Sequence, residues 1–283
     1  MRTVAGVALL GITILAQTPP NHQSVLARLG READLFEQNA DRISGTEILT
    51  QTIPRGARTR TGPRGIEVAL PEVSREIVCD YGFVSMDEPG APLREVRVVR
   101  KVDGQVWRKK TTSLDQLARE ISGRDAQARR RQLERFEEHG LVGFITDLGQ
   151  LILLFARGGV SRYEIRHERQ DDAGYAVYTY VQLDGSEAFT VYGESKEPVR
   201  QPMKGRIWIE TGTGLPMRIS MESERPVGKA MIRDVSTVEY ARSSVGFLLP
   251  ARVVHQQFVG TSLHLTDHFE YTGWREVGPP RRR

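Results

Sequence analysis

The stretch that most constrains this chain is Gly205 to Met221, GRIWIETGTGLPMRISM. Its two arms alternate apolar and polar residues around Thr211-Gly212-Thr213-Gly214, whose glycines supply turn conformations that other residues avoid, so it predicts a β-hairpin. On the second arm Leu215, Met217, Ile219 and Met221 share one face, while Pro216, Arg218, Ser220 and Glu222 share the other. A strand that is apolar on one side must bury that side against something.

The same alternation recurs through the second half of the chain. Strands are expected near Ser161 to Glu168, Tyr175 to Leu183, Glu187 to Tyr192, Arg206 to Glu210, Leu215 to Glu224, Lys229 to Ala241, Phe247 to Val259 and Leu263 to Trp274. The links between them, such as Ala173-Gly174, Asp184-Gly185 and Gly260-Thr261, are too short for parallel crossovers, so the expected topology is an antiparallel up-and-down meander.

The first half mixes helix and strand. From His22 to Ile43, Val25, Leu26, Leu29, Ala33, Leu35, Phe36 and Ala40 recur at three- and four-residue steps, the pattern of an amphipathic helix. Strands are expected at Thr46 to Ile53, Arg75 to Ser85 and Leu93 to Val102, the last with Val96, Val98 and Val102 on one face against Glu95, Arg97 and Lys101. Ser113-Leu114-Asp115-Gln116 has the form of a capping box, so a helix should start there and run, broken near Gly123, to His139-Gly140. Leu141 to Phe155, with only Asp147 charged, is the most apolar stretch after the amino terminus. It is too short to cross a bilayer and reads as a buried helix packed on the sheet.

A chain of 283 residues, 39% hydrophobic and 27% charged, is globular, and without a linker rich in Pro, Gly and Ser it is expected to form one domain. Met1-Arg2-Thr3 followed by the uncharged run Val4 to Ala16 has the layout of a secretory signal peptide, with cleavage expected after Ala16 and a periplasmic or secreted mature protein. Cys79 stands alone, so no internal disulfide can form, and it is expected to be a buried small hydrophobe. The formal net charge is +4 with basic residues dispersed and not interleaved with stacking aromatics, which argues against nucleic acid. The basic loop Arg55 to Arg64 and the tail Arg281 to Arg283 are candidate contacts for an anionic membrane surface or an envelope protein.

Catalytic patterns are missing from the sequence. It has no Gly-x-Ser-x-Gly elbow, P-loop, dinucleotide fingerprint or cysteine-based metal spacing, so neither an enzyme nor a cofactor is expected. His264 and His268 are four apart, a metal spacing on a helix but roughly 13 Å on a strand. They fall on the face of Thr266 and Glu270 and read as solvent-facing. A lesser reading brings His255 beside one of them in a metal-dependent hydrolase. Asp171-Asp172 and the pair Glu222 and Glu224 read as turn and surface carboxylates.

Several segments together resemble a known group: Gly205-Arg206-Ile207-Trp208-Ile209-Glu210, Pro216-Met217-Arg218-Ile219, Leu249-Pro250-Ala251-Arg252-Val253 and the terminal Tyr271-Thr272-Gly273-Trp274. In these, and in its order of leading helix, early strands, helical insertion and long meander, the chain resembles a group of exported bacterial proteins with a fold similar to that of the periplasmic lipoprotein carriers, the LolA-like superfamily. The resemblance implies an α+β fold: a strongly curved antiparallel sheet, or half-barrel, covered on its concave side by helices. Residues 17–283 would form that domain, with the helical insertion at about 113–156. It also implies a non-catalytic protein holding an acyl chain or lipid-like ligand. The resemblance assigns no lining position; the apolar faces of this sequence do, since a meander with one apolar side must bury it under the helices, and they give Phe144, Leu148, Leu151 and Phe155 from the insertion with Leu215, Met217, Ile219, Met221, Leu265 and Phe269 from the sheet. The alternative is an envelope platform whose core is filled by its own side chains.

Overall fold

A computed structural model describes residues 22–61, 67–85, 93–107, 113–122, 136–143, 147–171, 173–183, 189–192 and 198–277. The leader Met1 to Ala16, the break near Gly123, Phe144 and the tail Arg281 to Arg283 lie outside the described residues.

The described residues open with α1 (His22–Asn39) and a 3-10 turn (Ala40–Arg42), which lead into β1 (Ile43–Ile53). There follow β2 (Thr59–Thr61), β3 (Glu67–Ala69), β4 (Val73–Val84), β5 (Arg94–Val102), β6 (Gln105–Val106) and α2 (Leu114–Ser122). Two 3-10 helices (Leu151–Phe155 and Gly159–Arg162) precede β7 (Tyr163–Gln170), β8 (Tyr175–Gln182), β9 (Phe189–Tyr192) and β10 (Pro198–Gln201). The meander continues through β11 (Lys204–Glu210), β12 (Pro216–Val227), β13 (Ala230–Arg242), β14 (Leu248–Val259) and β15 (Ser262–Glu276).

Eleven strands form one sheet in the order β6-β5-β4-β1-β15-β14-β13-β12-β11-β8-β7, while β2–β3 and β9–β10 pair separately. Every pairing is antiparallel. The sheet is open, consistent with a curved sheet, and its edges β6 and β7 do not meet. The meander expected from the short links runs unbroken from β11 to β15, but two seams depart from it: the expected strand Glu187 to Tyr192 pairs with β10 outside the main sheet, so that β8 lies beside β11, and β1 lies between β4 and β15, so the first and last strands of the sheet in sequence are neighbours.

The hairpin that dominates the sequence forms as expected. Ile207 pairs with Ile219 and Trp208 with Arg218, whose guanidinium lies 5.4 Å from the indole ring centre. Gly205 is required by close approach: a Cβ there would lie 2.0 Å from Ser220 O and 2.8 Å from the Tyr180 ring. That ring occupies the space and its hydroxyl donates to Ser220 O at 2.8 Å.

The main core covers one face of the sheet, here called the inner face. Val25, Leu29, Ala33 and Phe36 of α1 are buried at helical spacing and share a cluster with Tyr81 and Phe83 of β4, Ile219 and Met221 of β12, and Phe269 of β15. Phe36 meets Phe83 edge-on at 5.1 Å and Phe247 at 6.2 Å.

The expected helical insertion differs in two ways. The run ending at Phe155 is buried as expected but is not an α-helix among its described residues; it consists of turns and a 3-10 helix. Gly140, Gly143 and Asp147 all take positive φ (87°, 59° and 66°), which an α-helix does not accommodate. The second difference is that α2 lies on the opposite face. Its Leu117 joins Val84, Val96 and Val98 in a separate small core, and Leu114 Cδ2 lies 3.1 Å from where a Gly82 Cβ would be.

Candidate functional site

Most of the candidate lining converges. Leu148, Leu151 and Phe155 are buried in the same cluster as Leu215, Ile219, Met221 and Phe269, and Met217 packs half-buried against it. Phe155 meets Tyr163 and Tyr180, each at 5.4 Å between ring centres, forming an aromatic floor at the β7–β8 end; burial pushes the Tyr163 hydroxyl up to about 12. Leu265 is buried but lies apart, 3.4 Å from the Cβ position of Gly143. Residues 147–162 and α1 hold one another: Arg157 donates its backbone N–H to Asp34 at 2.7 Å and its side chain to Glu37 at 2.7 Å.

The inner face is not uniformly apolar, contrary to what the alternation of the strands predicts. Glu95 and Arg97, assigned to the polar side of β5, point into the core, because α2 takes the valine side. Arg97 is held by Glu47 through two bonds (2.7 and 2.8 Å) and by Glu95 at 2.6 Å, and its guanidinium lies 5.0 Å from the Tyr81 ring centre and 5.9 Å from that of Phe269. Burial opposes the charge on Arg97, but Glu47 and Glu95 outweigh it and hold its pKa well above the usual value. Burial pushes the Glu47 carboxyl up, and Arg97 pulls it back.

Glu95 also ties the cover to the sheet. Its carboxylate accepts the backbone N–H groups of Asp147 (2.8 Å) and Gly149 (2.7 Å) and the Tyr81 hydroxyl (2.7 Å). Asp147 returns a bond from the Glu95 N–H at 3.0 Å, and the Tyr240 hydroxyl accepts the Ile152 N–H at 2.8 Å. The backbone donors that an α-helix would satisfy internally are thus met by sheet side chains. Gly149 permits the approach, since a Cβ there would fall 2.9 Å from the Glu95 carboxylate.

A second buried polar cluster spans β13, β14 and β15. His255 does not approach His264 or His268: it is fully buried on the inner face, while those two lie half-buried on the outer one. Its Nδ1 bonds Asp267 at 2.9 Å and its Nε2 bonds Asp234 at 3.3 Å. Asp234 is also paired with Arg225 (2.6 Å) and Gln257 (3.0 Å), and Asp267 accepts from Gln51 (2.8 Å). Burial opposes charge on His255, but the bonds to both carboxylates prevail and raise its pKa to about 9. Burial likewise opposes ionisation of Asp234, yet bonds from His255 and Gln257 keep it below the usual carboxylate range. No metal-binding group of His, Cys, Asp and Glu is found among the described residues.

One signal in the sequence pointed to these clusters. Asp267 sits in phase with Leu265 and Phe269, so the strand periodicity that buries them buries it too. Asp234 and His255 follow the same rule against Val238 and Val253.

No family model matches this chain, and neither does any curated protein. Among solved structures it is similar to a LolA superfamily protein from Nitrosomonas europaea, at 14% identity over 90% of this chain and 93% of that one, with a TM-score of 0.35. It is also similar to a DUF1329 family protein from Desulfovibrio piger, at 10% identity over 92% and 94%, with a TM-score of 0.38.

Proposed function

We propose that the mature protein is an exported, non-catalytic binder of an acyl chain or lipid-like molecule, held between a concave inner face and the cover formed by α1 and residues 147–162. The observation that carries this reading is the character of the cover. The apolar part of the inner face, which includes Tyr180, Ile219 and Phe269, is closed by α1 together with turn and 3-10 backbone fastened to it through Arg157, not by a second long helix packed along the sheet. A ligand is admitted if that unit shifts, and apolar faces of this size can hold a small apolar ligand. Catalysis gains no support from His255, both of whose ring nitrogens are occupied by carboxylates, leaving neither for a nucleophile or a metal. Export is supported by the layout of Met1 to Ala16, and intact-mass measurement of native protein should find an amino terminus at Gln17.

The platform reading draws on a different fact: Phe155, Ile219 and Phe269 are almost fully covered by the chain's own atoms. Organic extraction of natively purified protein, followed by mass spectrometry, separates the two. A carrier retains lipid, because each buried methylene contributes about 0.8 kcal/mol, and Met217→Glu, at a half-buried position, should reduce the amount retained while the protein stays folded. Clean extracts with no saturable uptake of a fluorescent fatty acid would reject the carrier and favour the platform.

A further inference from the structure

Beside the cluster on β13, β14 and β15, two buried hydroxyls on β12 and β13 have no hydrogen-bond partner among the described residues. Ser236 is 0% exposed and Ser223 3% exposed, and neither hydroxyl has a partner among the described residues. A buried hydroxyl left without a partner opposes folding, so such groups are normally satisfied. Both serines lie on the inner face, Ser223 opposite Asp234, and Ser236 opposite Met221 on one side and His255 on the other. They mark the border where the apolar row of Ile219 and Met221 passes into Asp234, His255, Gln257 and Asp267.

The charges at this border are already matched. Asp234 is met by Arg225 and His255, and Asp267 by His255 and the Gln51 amide. An anionic group brought here would face two buried carboxylates, whereas a neutral oxygen could bond the serines without disturbing the balance. The backbone over this end is residues 141–143, where the Gln51 amide donates to Val142 O (2.9 Å) and accepts from Val142 N–H (2.8 Å).

We propose that Ser223 and Ser236 form a head-group site for a neutral hydroxyl or ester carbonyl of a lipid-like ligand, whose hydrocarbon lies along Met221, Ile219 and Phe269. This assignment rests on the carrier reading and adds to it the class of ligand: a neutral, oxygen-bearing lipid in preference to a fatty-acid anion.

The test uses the mature protein and a Ser223→Ala/Ser236→Ala double variant, with diphenylhexatriene as a hydrocarbon probe lacking a head group, and with monoolein and oleate as competitors. In the wild type monoolein should displace the probe at lower concentration than oleate. The double variant should bind the probe unchanged but need about tenfold more monoolein, the loss of one to two hydrogen bonds. Its melting temperature should stay level or rise, because the removed hydroxyls have no partners among the described residues. Equal monoolein affinity in the two proteins overturns the head-group site while leaving the carrier intact, and a lowered melting temperature with equal affinity assigns the serines a structural role instead. Failure of the wild type to bind probe or monoolein at all overturns the carrier reading itself, and the head-group site with it.

Discussion

The two buried polar clusters share one sheet face but solve the problem of burying charge in different ways. Around Arg97, the guanidinium grips Glu47 at two points, and Glu95 accepts from Tyr81, Arg97 and two backbone amides of the cover. Its cation cannot be discharged in the physiological range. Around His255 the central charge can titrate, and two neighbouring serine hydroxyls have no partner among the described residues. The first cluster is a permanent fastening and the second a site with room to respond. Ionic groups in a core therefore need not serve one purpose even when a few strands separate them.

The sharpest way to break this contrast is to remove the permanent charge. Arg97→Met leaves Glu47 and Glu95 buried without their cation and should cost about 3–5 kcal/mol of stability, read from urea unfolding. A loss below about 1 kcal/mol would mean that water or a protonated carboxyl relieves the site. The next largest effect concerns pH. Because the folded-state pKa of His255 is raised from 6.5 to about 9, its contribution is fully present below about 6.5 and falls as pH rises towards and through 9. That decline should be on the order of 2–3 kcal/mol and should disappear in His255→Gln, when stability is followed from pH 6 to 9.5. A decline of equal size in the variant would locate the titrating group elsewhere. The smallest effect tests the fastening of the cover. Tyr240→Phe removes the acceptor for the buried Ile152 N–H and should cost about 1–2 kcal/mol, with faster amide exchange at Ile152 as the local signature.

Much of this architecture is legible residue by residue. The hairpin from Gly205, the leading helix and the strand runs follow from local alternation and turn chemistry, which depend on near neighbours. Local alternation does not decide which element covers which face. Period two separates Val96 and Val98 from Glu95 and Arg97 without saying which pair meets the core, and the placement of α2 decides it. The segment before Phe155 was apolar enough to be buried, but its conformation follows from the side chains of Glu95 and Tyr240, distant in sequence, that take over its backbone donors. His255 shows a third kind of limit. Period two along its own strand buries it with Val253, whereas spacing to the other histidines suggests a neighbour on the wrong face and says nothing of Asp234 and Asp267, its partners across the sheet.

The seam between β1 and β15 bears on how such a chain comes to be folded. Ile43 pairs with Glu276 and Thr52 with Thr266, so strands more than two hundred residues apart, by the numbering of those pairs, stand side by side near the middle of the sheet. Hairpins such as β12–β13 can zip up early from local contacts, but β1 has no partner on that side until the last strand leaves the ribosome. Until then β4, β1 and β5 expose an unpaired edge, and α1 has only part of the surface it will finally cover. The nascent polypeptide is thus held short of its native state by topology alone, which leaves a window for chaperones to act before the sheet is locked.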